Sequence, residues 1–104
     1  MTTVSTHVLD AALGRPAAGL TVTLTLPDGS SKTGKTDADG RARLPDELTP
    51  GVHTFTFVTG PWFAAQDRDT FYPEITVSFT VTAGEHHHVA LLLSPFAYTT
   101  YRGS

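Results

Sequence analysis

The sequence predicts an all-β protein, a β-sandwich of about eight short strands with one short helix. Three observations point there. Several segments alternate apolar and polar residues with a period of two, the pattern of a strand buried on one face. Gly and Pro, nine and seven in number, are spaced through the chain as turn signals. Hardly any stretch has a helical period, so strands must supply the core. The 104 residues fit one domain spanning 1–104, which buries roughly 60 to 70% of its unfolded surface around one modest core.

Residues 4–9 read as the first strand, with Ser5, His7 and Leu9 on one face and Val4, Thr6 and Val8 on the other. Gly14-Arg15-Pro16 punctuates a loop. Residues 20–26 are the clearest half-buried strand, Val22, Leu24 and Leu26 alternating with Thr21, Thr23 and Thr25. Pro27-Asp28-Gly29-Ser30 is a turn, and residues 31–36 form a short polar strand near an edge. Asp37-Ala38-Asp39-Gly40 turns the chain into a strand over 41–44 that puts Arg41 and Arg43 on one face. This turn resembles the start of a calcium loop, but Arg41 sits at the fifth loop position and Leu48 replaces the Glu at the twelfth, so turn chemistry explains it better.

Residues 52–58 alternate again, with Phe55 and Phe57 inward. Gly60-Pro61 breaks that strand, and the only helix candidate follows at 62–66, with Pro61 suited to the first helical position. After a charged loop at 67–69, residues 74–82 turn Ile75, Val77, Phe79 and Val81 inward. Ala83-Gly84 is a short connection that suggests a hairpin into a strand over 85–93. There His86, His88, Ala90 and Leu92 share one side, and His87, Val89, Leu91 and Leu93 the core side. Residues 96–102 make the last strand. The Trp62-Phe63 and Phe71-Tyr72 pairs read either as a hydrophobic binding patch or as caps on the sandwich core.

The composition excludes several classes. With no cysteine there is no disulfide, thiolate metal site or cysteine nucleophile. Seven Lys and Arg and a net charge of −3 argue against nucleic acid as a partner. No eighteen-residue apolar run marks a membrane span, and the N-terminus lacks the features of a signal peptide, so a cytoplasmic location is expected. A mature chain whose leader had been removed would read the same.

Chemistry concentrates at the histidines, which exchange protons near neutrality. His86-His87-His88 reads either as the polar start of an edge strand or as part of a metal site. In the second case His86 and His88, two residues apart, chelate zinc, and His7 supplies a third nitrogen. Arg41 offers a planar fork of donors for a carboxylate or amide-like group, or is simply part of a solvated edge strand. No Gly-x-Ser-x-Gly elbow is present, and the Ser that stands out is Ser104, with its free carboxylate. Direct attack by a histidine-activated water asks less of this chain than an acyl-enzyme does.

Four segments in order resemble the 5-hydroxyisourate hydrolases, the transthyretin-related proteins of purine catabolism. They are Ser5-Thr6-His7-Val8-Leu9-Asp10 with Gly14-Arg15-Pro16-Ala17, Thr36 through Arg41, Phe71 through Val77, and His86-His87-His88-Val89 leading to Leu91-Leu92-Leu93-Ser94-Pro95 and Tyr101-Arg102-Gly103-Ser104. The terminal Tyr-Arg-Gly-Ser is the most specific mark, since transthyretin, a hormone carrier on the same fold, lacks it. The chain departs from the pattern at His87 and Ala90, where many relatives carry Tyr and Pro. By alternation, His87 is a structural histidine of the core side.

The resemblance implies a transthyretin-like sandwich that hydrolyses 5-hydroxyisourate to 2-oxo-4-hydroxy-4-carboxy-5-ureidoimidazoline in urate degradation. It implies His7, His88 and Ser104 as catalytic residues, with Arg41, Tyr101, Arg102 and His86 binding substrate. No cofactor is required, although zinc bound adventitiously at His7, His86 and His88 is compatible with the pattern. The implied assembly is a homotetramer, a dimer of dimers whose central channel is lined by the outward faces of the histidine strands. The rival within the fold is a transthyretin-like carrier of an aromatic ligand without catalysis, which calls for a more apolar channel. An adhesive β-sandwich without chemistry would be expected in a secreted, modular or repeated context.

Overall fold

The structure is a computed structural model that describes residues 1–44 and 47–104. Among the described residues the chain forms β1 (Thr3–Asp10), β2 (Arg15–Pro16), β3 (Thr21–Thr25), β4 (Ser31–Lys35), β5 (Arg41–Leu44) and β6 (Gly51–Phe57), then α1 (Thr59–Ala64), β7 (Ile75–Val81), β8 (His86–Ser94) and β9 (Ala97–Gly103). These build two sheets. The first runs β2-β1-β8-β9, with β5 sharing the β2 edge of β1, and the second runs β4-β3-β6-β7. Every pairing is antiparallel except β1 with β8.

Period-two alternation positions the core. Val4, Val8, Leu91 and Leu93 face inward from the first sheet, and Val22, Leu24, Phe55, Phe57, Ile75 and Val81 from the second, all essentially buried. The aromatic rings at the centre interlock, Phe55 lying 5.8 Å from Phe57 and stacked at 5.2 Å on Phe79. Phe63 is fully buried and Trp62 packs beside it, donating Nε1–H to the Ala18 carbonyl at 2.8 Å, so this pair caps the core. Tyr72 packs on the core while Phe71 remains 71% exposed.

Three expectations are corrected. The 83–84 connection makes no hairpin: β7 and β8 lie in different sheets, stacked face to face across the core. Each presents its apolar face to the other, and Thr3 and Gly84 tie the link to β1, through Thr3 N–H on the Glu85 carbonyl and Gly84 N–H on Thr2 Oγ1. The helix starts earlier than 62–66, with Pro61 at its third position. Gly60 N–H on the Pro73 carbonyl and the Thr59 hydroxyl on the Tyr72 carbonyl hold the early turn. Proline is tolerated there because first-turn N–H groups have no helical acceptor to lose. Residues 15 and 16, read as loop, pair with Leu9 and Asp10 as a two-residue edge strand.

Candidate active site

The parallel pairing of β1 with β8 builds the site. Its register sets Thr3 opposite His86 and Ser5 opposite His88, while β5 on the other side sets Arg41 opposite His7. Outward-facing residues of three strands therefore converge although they lie far apart in sequence.

The turn before β5 fixes His7 and Arg41 together. Asp37 Oδ1 accepts N–H bonds from Asp39 at 2.9 Å and Arg41 at 3.0 Å. The Arg41 N–H, foremost, holds the Asp37 carboxyl below the usual carboxylate range, despite an opposing effect of desolvation. Gly40 has φ +76, and a Cβ on it would strike the Val8 carbonyl, so glycine permits the close approach in which Val8 N–H donates to the Gly40 carbonyl at 2.8 Å. That docking brings the Asp39 carbonyl 3.0 Å from His7 Nε2. A carbonyl only accepts, so the ring hydrogen lies on Nε2 and the lone pair of the neutral ring on Nδ1. The two Asp residues singled out as a possible calcium loop thus serve the turn.

His88 stands beside His7, with ring centroids 6.4 Å apart. Its Nδ1 is 2.8 Å from Ser5 Oγ, which is also 2.8 Å from His86 Nε2; His86 Nδ1 lies 2.6 Å from Thr3 Oγ1. A cleft of about 340 Å³ opens here, lined by Ser5, Arg41, Arg43, His86, His88 and Ser104 among others. Burial, then the charges of His7, Arg41 and His86, lower the His88 pKa. Burial, then the charge of Arg43, does the same for His86.

His87 faces the core, as its alternation predicts. It is 4% exposed, donates Nδ1–H to the Thr3 carbonyl at 3.0 Å and accepts the Thr82 N–H on Nε2 at 2.9 Å. Both nitrogens are satisfied in a neutral ring, so this histidine is structural. Among the described residues no three His, Asp or Glu side chains are disposed to hold a metal ion, His7, His86 and His88 included.

The remaining predicted residues divide. Ser104 lines the cleft. Tyr101, 54% exposed, pairs with Ala90, and with Arg102 it borders a second hollow of about 260 Å³, lined by residues of β7, β8 and β9 and sharing His88 with the cleft. Arg102 pairs with Glu85 at 3.1 Å, away from the cleft lining. Sequence reading passed over Thr3 and Ser5. Their signal was present, two hydroxyls at i and i+2 on the His7 face, but only the parallel register shows what they meet.

Gly103 matters for a steric reason. It lies opposite His88, and a Cβ built on it would collide with His88 Cδ2. Gly103→Ala should displace the imidazole, lowering turnover of any reaction that uses His88 while leaving the core-governed thermal midpoint within a few degrees. Steady-state kinetics beside a melting curve checks this; full activity in the variant would show that the ring tolerates the displacement.

A two-sheet sandwich that carries imidazoles, arginines and hydroxyls on the outer face of one sheet defines the class of this protein: a transthyretin-like fold with a polar surface site. The profile of the HIUase/Transthyretin family matches residues 4–103, and the chain belongs to that family. It is 42% identical over 109 residues to the 5-hydroxyisourate hydrolase of Salmonella typhimurium, an overlap of 97% of this chain and 80% of that one. The solved structure of Klebsiella pneumoniae 5-hydroxyisourate hydrolase superposes with a TM-score of 0.90 at 36% identity, covering 100% of this chain and 94% of that chain. Sea bream transthyretin, solved in complex with thyroxine, follows at a TM-score of 0.80 and 30% identity, covering 96% and 93%.

Proposed function

We propose that this chain hydrolyses 5-hydroxyisourate to 2-oxo-4-hydroxy-4-carboxy-5-ureidoimidazoline, without a cofactor, as a step of urate breakdown. The observation that carries the reading is the meeting of His7 and His88, 6.4 Å apart, at a cleft that His88, Arg41 and Ser104 line and that His7 adjoins through His88 and its strand partner Arg41. Such a wall of imidazoles and guanidiniums suits a small, polar, hydrogen-bonding substrate better than a hydrophobic aromatic ligand. The test is ultraviolet decay of freshly generated 5-hydroxyisourate: the chain should accelerate it in proportion to its concentration, and decay at the uncatalysed rate would overturn the proposal.

In this reaction, water adds to a ring carbonyl next to a ring nitrogen. One imidazole takes the proton of the attacking water, the carbonyl oxygen becomes an oxyanion, and the carbon–nitrogen bond breaks as the other imidazole protonates the departing nitrogen. Arg41 holds the substrate and steadies the oxyanion, an effect worth about 3 kcal/mol for one well-placed donor. Ser104 and His86 orient substrate and water at the cleft wall, while Tyr101 and Arg102 border the neighbouring hollow on the other side of His88.

A lowered His88 pKa fixes the sign of the pH dependence. The ring stays neutral until the pH falls below the ordinary imidazole value of about 6.5. The acid limb of kcat/KM should therefore lie below 6.5. Replacing Arg41 with Gln removes one of the charges that depress this pKa, so in its residual activity the limb should move up; a limb fixed in both proteins would sever Arg41 from His88.

The proposal extends to one domain over 1–104 acting as a homotetramer, a dimer of dimers with the histidine strands facing a shared channel. Light scattering should give about four times the 11.1 kDa chain mass, and a fully active monomer would remove the assembly from the reading. No described helix is long and apolar enough to cross a membrane. We place the protein in the cytoplasm, to be checked by cell fractionation.

A further inference from the structure

We propose that Ser5 is the positioning residue of the site: its hydroxyl links His86 to His88 in one hydrogen-bonded chain that determines the proton state His88 presents at Nε2. The chain has four members, Thr3 Oγ1 to His86 Nδ1 at 2.6 Å, His86 Nε2 to Ser5 Oγ at 2.8 Å and Ser5 Oγ to His88 Nδ1 at 2.8 Å. All come from adjoining β1 and β8 in their parallel register. His88 Nε2 is left on the side of Gly103, beside the cleft that Ser104 lines.

Hydrogen counting makes the two rings interdependent. Ser5 has one proton to donate, so it cannot serve a bare nitrogen on both rings at once. Two arrangements of neutral rings satisfy every link with the Ser5 proton kept inside the chain. In one, Thr3 donates to His86 Nδ1, His86 Nε2–H donates to Ser5, Ser5 donates to His88 Nδ1, and His88 carries its proton on Nε2, ready to act as an acid. In the other, each link runs backwards: His88 Nδ1–H donates to Ser5, Ser5 to His86 Nε2 and His86 Nδ1–H to Thr3, leaving His88 Nε2 bare as a base. In a third, both rings donate to Ser5 and its own proton must find an acceptor outside the chain. Which of the first two forms the cleft meets is thus set through the Thr3 and Ser5 hydroxyls, by the direction in which the chain of hydrogen bonds runs. Burial and the charges of His7, Arg41 and His86 favour the neutral ring on which this choice operates.

The role in turnover rests on the hydrolase reading above; the hydrogen-bonded chain itself does not. Long-range proton–nitrogen correlation spectra of the imidazoles, recorded without substrate near pH 8, report the tautomer of each ring. They should show one dominant tautomer for His88 in the parent protein, a mixture in Ser5→Ala, and recovery in Ser5→Thr, which restores the hydroxyl. Thr3→Val, nearly isosteric, should alter the His86 pattern and, through Ser5, that of His88, so the test survives if Ser5→Ala fails to fold. In the decay assay, kcat should fall about ten- to a hundredfold in Ser5→Ala with a smaller change in KM, and return in Ser5→Thr. An unchanged His88 pattern in both Ser5→Ala and Thr3→Val would overturn the proposal. So would a failure of Ser5→Thr to restore pattern and kcat. A parent protein inert toward 5-hydroxyisourate, with the nitrogen spectra behaving as stated, would sink only the hydrolase reading.

Discussion

Replacing His88 with alanine is expected to lower kcat for 5-hydroxyisourate by about 100- to 10 000-fold, the range that a positioned acid or base contributes. His7→Ala should fall in the same range, because the reaction needs one proton removed from water and one delivered to nitrogen. Neither ring belongs to the core, since both sit on the outward face of their strands, so thermal unfolding should change little. The two losses should also fail to add. With one partner gone the other has half a reaction to perform, and the double variant should be scarcely worse than the poorer single one. Parent-like rates in either single variant would remove that residue from the chemistry.

Arg68→Ala should have the largest effect on stability, about 3–5 kcal/mol, from breaking a buried ion pair on one side only. Asp10 closes β1 with its side chain 1% exposed, and Arg68 reaches it from the loop after α1 at 2.7 Å, its own side chain 18% exposed. Asp10 Oδ1 also accepts N–H bonds from Ala12 at 3.1 Å and Leu13 at 3.0 Å. The guanidinium lies 4.8 Å over the Phe63 ring, so the same side chain joins the strand end, the following turn and the helix that caps the core. Burial raises the Asp10 pKa, but the Arg68 hydrogen bond, the Leu13 and Ala12 N–H groups and the Arg68 charge outweigh it, and the net pKa is lowered. A lowered pKa contributes stability above the unfolded value of about 3.9 that is lost as the pH falls through the folded value. Without Arg68 its hydrogen bond and its charge no longer lower the Asp10 pKa, which therefore rises from its position in the parent protein. The deficit of Arg68→Ala should then be greatest at neutral pH and shrink toward pH 4. Denaturant titration at both pH values tests this, and a deficit independent of pH would mean that packing rather than charge accounts for it.

Much of the fold was legible because a half-buried strand leaves its period in the sequence. The face assignments of β1, β3, β6 and β8 hold in the burial pattern except at Ala90, set on the outward side yet 7% exposed, and they extend to His87 turning inward while His86 and His88 turn outward. What misled was connection length. A two-residue link between alternating strands reads as a hairpin, yet two strands with equally apolar inner faces can also stack across a core, and sequence periodicity is the same in both cases. The helix boundary shifted for a related reason, as its first turn is held by Tyr72 and Pro73 from further along the chain.

The candidate site divides along the same line. Residue types and spacing drew notice to His7, Arg41, His86, His88 and Ser104 and set their faces by alternation, but left each a structural alternative, and it was the family resemblance that joined them into one site. Tertiary structure alone decided their company: the parallel register that sets Ser5 against His88, the turn that holds His7 on the Asp39 carbonyl, and the pairing of Arg102 with Glu85 outside the cleft lining. Alternation is local, whereas register between strands some eighty residues apart is set by the packing of the whole sandwich.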